Sequence, residues 1–484
     1  MVRALKLRPV ATVGIAAAVL TILSLAGIHW IVTVLALGAT ALLALMQPAW
    51  VVAAAVLSVP VQSEVMLPFV RGELTLTQLM LFGLIVGWGI IFWRRRIWLD
   101  SIVVGFLLVL AAYAVSFIAV DEPSLWFQES YRWAVAGIFY VICRSVIHGW
   151  QDIRPILWSM LAGVLGVSIM SAMQVIGEAG PGHFLVGGAV RVYASFGTPN
   201  TLAAYLEMTV PVLLACIPIA WILKGDYHFS RIEKYSLVIV PGIGLITLLL
   251  TQSRGGLIGI LAACGVLWLL LPTKAKLVSG LAGVVMFGGF MLTTPGQSQI
   301  SRFAELTEES SRDAYEETRS SYVEGAGRGA LWSTARIMIS ENPLTGIGAG
   351  EFDENYREYV PSWLDRFPRG QAHNVWLQMG AQAGIWGILG YAAWFAASVW
   401  SVITARRRID DRQRYWLLTG VLAVFVAYTL HSMVDYLNVL SLGLQLSVLT
   451  AIALNLAPDP LTRYERTPPM KKFVSAPGVT PCPE

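Results

Sequence analysis

Charge is what this chain has least of. Only 13% of its 484 residues are Asp, Glu, Lys or Arg, against 56% hydrophobic. With a mean hydropathy of +0.65, its apolar surface exceeds what one water-soluble core can bury, so a soluble globular domain is excluded. Long uncharged runs fit a bilayer instead, and the chain reads as an all-α polytopic membrane protein. Cysteine is also scarce: Cys143, Cys216 and Cys264 lie inside apolar runs and Cys482 in the tail, which excludes a disulfide framework and a CxxC metal site. Neither HExxH nor DxD occurs, so no metal and no cofactor is expected.

Runs of about 17 to 25 apolar residues predict helices near 75–93, 101–120, 131–147, 154–176, 199–223, 235–252, 255–271, 277–294, 373–403, 414–431 and 438–456. The segment 10–61 has room for two or three more spans, broken by Pro48 and Pro60. Val10 to Ile28 reads as a retained span because no small-residue cleavage site follows it. Basic residues favour the cytoplasmic side of short loops. One set of loops and ends holds 17 of them, and the opposite set holds only Arg71, Arg191 and Arg254. Both termini are therefore expected in the cytoplasm, with about 12 to 14 spans in all. The polar insert 295–372 then faces outward. The expected organisation is an N-terminal bundle over 1–294, a large, partly helical loop over 295–372, C-terminal helices over 373–456 and a disordered tail over 457–484.

The insert carries 13 acidic and 8 basic residues, about a third of all the charges in the chain, and that acidic balance makes it no nucleic-acid surface. Ser301 to Val323 reads as a solvated helix or flap. Gly327 to Asn342 places Leu331, Ala335 and Met338 at helical spacing, predicting an amphipathic helix lying on the membrane or on the bundle. Gly346, Gly348 and Gly350 follow in a tight loop. They are not a dinucleotide site, because no strand precedes them.

This topology puts His148 and His228 inside and His29, His183, His373 and His431 outside. His373 alone joins the insert to a helix, beside Asn374 and one turn before Gln378, a position that suits either an interfacial cap or a catalyst. His431 has Asp435 four residues on, the spacing of a local helix pair. Arg191 and Arg254 stand at helix ends, where a cation beside the hydrocarbon has either a partner or a task. Guanidinium forks match phosphate oxygens, and lipid headgroups or the carboxylates Glu178 and Asp435 are the alternative partners.

Ser253-Arg254-Gly255-Gly256 opening a helix, Gly327-Arg328-x-x-Leu331-Trp332 leading to Asn342-Pro343-Leu344-Thr345-Gly346, and His373-Asn374 with Gly384 and Gly387 resemble the O-antigen ligase and polymerase superfamily over roughly 190–390. The resemblance implies a membrane glycosyltransferase in the bacterial inner membrane, its active site facing the periplasm. The implied donor is an undecaprenyl-diphosphate-linked glycan and the implied acceptor is lipid A-core or another glycan, with membrane lipids as surroundings and no nucleic-acid partner. It also implies His373 as the base and Arg191, Arg254 and Arg328 as diphosphate contacts. The expected activity is that of an O-antigen ligase, inverting and metal-independent, with an O-antigen or exopolysaccharide polymerase as the alternative. A transporter or flippase for an anionic lipid-linked substrate is the alternative of another class, and it would need polar groups in mid-membrane, where these spans hold few.

Overall fold

The computed structural model describes residues 38, 41–60, 64–66, 73–92, 99–178, 180–186, 188–223, 225, 227–298, 300, 326–359, 370–439 and 441–457. Most of the uncertain segment 10–61, the Ser301–Val323 flap, His29 and the tail beyond Ala457 lie outside them.

All eleven predicted helices are present: α2 (Leu76–Phe92), α3 (Ser101–Ser116), α4 (Pro123–Val146), α5 (Trp150–Ile176), α6 (Pro199–Trp221), α7 (Arg231–Leu250), α8 (Arg254–Leu270), α9 (Thr273–Met291), α11 (Val375–Arg407), α12 (Arg412–Ser432) and α13 (Gly443–Leu456). Before them comes α1 (Pro48–Ser58), and within the insert lies α10 (Ala326–Glu341). Two short antiparallel ladders, Glu64–Met66 with Glu73–Thr75 and Leu185–Val186 with Ala189–Val190, and short helical turns such as Phe352–Asn355 and Tyr356–Tyr359 accompany them. Among the described residues seven helices are long and apolar enough to cross a membrane. The chain is an all-α polytopic membrane protein.

Many helices start where a short polar side chain meets an apolar run. Asp100 accepts from the Ile102 and Val103 N–H groups at 3.1 Å, Ser253 from Gly256 N–H at 3.3 Å, and Ser230 closes a capping box with Glu233. Each cap satisfies N–H donors that the first helical turn leaves unpaired. α4 departs from the predicted 131 start: Pro123 at its first turn opens it eight residues early, so Glu129 becomes helical, one turn before Arg132.

α6 is buried along almost its whole length and forms the centre of the bundle. α9 buries only Phe290 and presents an apolar surface all round, as a helix in hydrocarbon does. Close packing relies on small residues. A methyl group at Gly105 of α3 would lie 2.5 Å from Trp394 Cα of α11, and one at Gly390 would lie 3.0 Å from the Leu108 carbonyl oxygen.

The feature that shapes the functional end is a break in α11. Ala383 (φ −143°, ψ 24°) and Gly384 (φ 58°, ψ −151°) leave helical geometry, separating a first segment, Val375 to Gln382, from the rest. The loop after α10 splints the break: Ile385 N–H donates to the Pro343 carbonyl and Ile347 N–H to the Ala381 carbonyl, both at 2.8 Å. Backbone groups freed by the kink are thus paired, which irregular chain at membrane depth requires. Gly346 and Gly384 both have positive φ, and a Cβ on either would sit 2.5 Å from backbone atoms of the other strand of this contact. The glycines of the insert therefore allow the loop to seat itself on α11. The same loop anchors α10, whose Leu331, Ala335 and Met338 are buried with Ile347, Phe352, Tyr356 and Ala381. The amphipathic helix lies on the bundle.

Candidate functional site

The turn Gln371-Ala372-His373-Asn374 is fixed from both sides. Asn374 caps α11 by accepting from the Trp376 and Leu377 N–H groups, while its own amide donates to the Met433 carbonyl at 2.8 Å. Gln378, one turn into the helix, accepts from the Ala372 N–H at 2.6 Å. Held this way, His373 adopts φ +48°, a conformation that is rare outside glycine and that gathers at functional sites. Its ring is 29% exposed, and Nδ1 donates to Asp435 Oδ1 at 2.8 Å.

Asp435 is the hub. It lies three residues beyond α12, and its carboxylate accepts from Asn200 Nδ2 at 2.8 Å, from the Tyr436 N–H at 2.8 Å and from Gln371 Nε2 at 3.4 Å. Arg328 Nη2 stands 4.0 Å away. Burial on its own would raise this carboxyl, but the His373 hydrogen bond and the positive groups around it outweigh burial and hold it well below the usual carboxylate range. Asp435 is therefore an ionised acceptor that fixes the His373 ring and leaves Nε2 with the free lone pair.

Arg191 is almost wholly buried, donating through Nε to the Thr251 carbonyl at 3.1 Å and through Nη2 to Asn200 Oδ1 at 3.4 Å. Asn200 thus links Arg191 to Asp435, and an unbroken chain of contacts runs from Arg191 to His373. Arg254 is the first residue of α8. The turn that delivers it is tight, with Gln252 at φ +53° and Ser253 capping the helix. Arg254 enters the site by its backbone neighbourhood: at the next residue, Gly255, a methyl group would meet the His431 ring at 2.4 Å and Val434 at 2.9 Å. Three of the four predicted site residues, His373, Arg191 and Arg328, converge on the Asn200–Asp435 pair, and Arg254 flanks it.

One expected contact is corrected. His431 does not pair with Asp435, because α12 ends at Ser432 and Asp435 is no longer on its helical face. His431 Nδ1 instead meets Glu207 Oε1 of α6 at 3.0 Å, both side chains fully buried.

Beside His373 opens a cavity of roughly 390 Å³, lined by Glu129 and Arg132 of α4 and by Gln378 and Gln382 of α11. Glu129 and Arg132 form an ion pair, and Tyr436 Oη donates to Glu129 Oε2 at 3.4 Å. Sequence reasoning missed Asp435 as the partner of His373, and it missed Glu129, Arg132 and Glu207. The available signal was the Glu129-x-x-Arg132 spacing at the mouth of an apolar helix, which pairs charges one turn apart. Among the described residues no three of His, Cys, Asp and Glu stand close enough to share a metal ion.

A fixed imidazole with a free nitrogen opening onto a polar cavity, backed by guanidinium groups, suits proton removal from a hydroxyl next to an anionic leaving group. Residues 239–392, which carry Arg254, Arg328 and His373, match the family described as O-antigen ligase. No curated protein matches the chain.

Proposed function

We propose, from the match of residues 239–392 to the family described as O-antigen ligase, that this chain is a membrane glycosyltransferase with His373 as its base. The donor is an undecaprenyl-diphosphate-linked glycan and the acceptor is a hydroxyl of lipid A-core, with the site facing the periplasm of the bacterial inner membrane and both termini cytoplasmic. The observation that carries this reading is the His373–Asp435 contact at 2.8 Å within reach of Arg191 and Arg328.

The step is a displacement at the anomeric carbon. The acceptor oxygen forms a bond to C1 while the C1–O bond to the diphosphate breaks, its electron pair leaving with the diphosphate. The acceptor proton passes to His373 Nε2. Attack opposite the leaving group inverts the anomeric centre. His373 serves because Asp435 fixes its tautomer and stabilises the imidazolium that forms. Negative charge grows on the departing diphosphate, and pre-placed guanidinium groups stabilise it without reorganising at the moment of reaction. Arg254, at the start of α8, and Arg328, in reach of Asp435, are the groups assigned to it. Arg191, whose fork is committed to Thr251 and Asn200, supports the same face from behind.

The test is transfer by the purified chain, given undecaprenyl-diphosphate oligosaccharide with and without lipid A-core, beside His373→Ala. Product that needs lipid A-core and is lost in the variant supports the ligase. A ladder of lengthened lipid-linked glycan without that acceptor assigns a polymerase. Full transfer by His373→Ala removes the histidine from the role of base.

A further inference from the structure

Gln378 and Gln382 lie one helical turn apart on the first segment of α11, 2% and 1% exposed, and both line the cavity beside His373. Each has its oxygen occupied. Gln378 Oε1 accepts the Ala372 N–H at 2.6 Å and Gln382 Oε1 accepts the Tyr113 hydroxyl at 2.9 Å. The Ala372 N–H can only donate, so it fixes which way the Gln378 amide faces, and the Tyr113 hydroxyl donates to the Gln382 oxygen. Among the described residues neither amide nitrogen has a hydrogen-bond partner. Both residues line the cavity, so their unpaired N–H donors suit an oxygen-rich ligand that would accept from them.

α4 supplies the complement to the same lining. Arg132 and Glu129 neutralise each other and so offer a hydrogen-bonding fork and carboxylate oxygens with no net charge. Donors and acceptors spread around a space of roughly 390 Å³ suit a ring bearing several hydroxyls. Location identifies which substrate the ring belongs to. His373 lines this cavity, whereas Arg191, Arg254 and Arg328 do not. The base has to face the hydroxyl it deprotonates, and the diphosphate has to face Arg254 and Arg328, so the cavity is on the acceptor's side.

On the transferase reading above, we propose that this cavity is the acceptor-sugar subsite, holding an uncharged terminal sugar whose hydroxyl oxygens accept from the Gln378 and Gln382 amides and contact the Glu129–Arg132 pair. Gln378→Glu and Gln382→Glu test it cleanly. Each keeps the oxygen that Ala372 or Tyr113 needs and the shape of the side chain, and each turns the cavity-facing donor into an acceptor.

The first readout needs no donor and no turnover: saturation-transfer NMR on the purified full chain with an equimolar mixture of methyl glucoside, methyl galactoside, methyl N-acetylglucosaminide and methyl glucuronide. The expected result is saturation of at least one uncharged glycoside by the wild type, reduced about fivefold or more in each Glu variant at unchanged thermal midpoint. If a Glu variant unfolds, Gln382→Met supplies a neutral replacement without the donor, with the same expected loss. No uncharged glycoside bound by the wild type, preference for the glucuronide, or undiminished signal in folded variants each overturns the subsite. The second readout is the transfer assay, where Gln382→Glu should raise the acceptor KM about tenfold and leave the donor KM within about twofold. A rise confined to the donor KM overturns the acceptor assignment. Sugar binding without any transfer by the wild type would sink the transferase reading and leave the subsite standing.

Discussion

His373 and Asp435 lie 62 positions apart in the chain and are joined by one hydrogen bond of 2.8 Å. The contact ties the exit of the insert to the segment just beyond α12. Asn200, at the start of α6, holds the other carboxylate oxygen, so three separate parts of the chain set one imidazole.

Asp435→Asn should therefore lower kcat with little change in either KM. A neutral amide at this position can present the wrong atom to Nδ1 and cannot stabilise the imidazolium, and losses of this kind run from about a hundredfold to ten-thousandfold. Steady-state kinetics on the folded variant decides it. An unchanged kcat would mean that the pair is structural.

The same carboxylate predicts a stability profile. Its folded-state pKa is depressed, so its stabilisation is complete above the ordinary unfolded value of about 4 and is lost as pH falls through the lower folded value. The thermal midpoint of the wild type should exceed that of Asp435→Asn by a steady margin from about pH 8 to about pH 5 and should converge on it below about pH 4. A margin that widens on acidification would contradict this sign.

Gly384→Ala tests the break in α11. The position combines φ +58° with a space in which Cβ would lie 2.5 Å from the Pro343 oxygen, so the cost should reach at least about 2 kcal/mol. A lowered thermal midpoint together with weakened transfer is expected, because the glycine loop that seats α10 would be displaced. A variant as stable as the wild type would show that the helix tolerates closure.

Beneath the site, Glu207→Ala leaves His431 buried without its partner. Leaving a buried hydrogen-bonding group without its partner costs roughly 1 to 3 kcal/mol. The expected result is poor recovery of folded protein, partly restored by the double change Glu207→Ala with His431→Leu. Greater loss in the double variant than in the single one would show that His431 is needed for something besides Glu207.

The helices were legible in the sequence because each is an apolar run of bilayer length with a short polar cap. α10 was legible for a related reason: Leu331, Ala335 and Met338 repeat at the helical period whatever they pack on. α4 was misplaced at its start because Glu129 interrupts the apolar run, although Pro123 marked the true beginning. The site was legible only in its individual residues. His373, Arg191 and Arg254 stood out as charged or titratable groups at helix ends and Arg328 only through the family resemblance, while Asp435, which contacts His373 and Arg328, was set beside the nearer histidine.

That misassignment marks the boundary between the two sources of information. Composition, run length and capping chemistry act over a few residues, so the sequence by itself determined an all-helical membrane bundle, a polar insert, and the residues able to do chemistry. Partnership across the chain depends on where helices end and on how closely backbones approach. Asp435 goes to His373, and His431 to Glu207, because α12 stops at Ser432 and α6 runs through the centre of the bundle. The break at Ala383 and Gly384, and the two amides facing one cavity, follow from a loop pressing on a helix more than thirty residues away in the chain. Only the tertiary structure decides such contacts, because their energy comes from groups that no local pattern brings together.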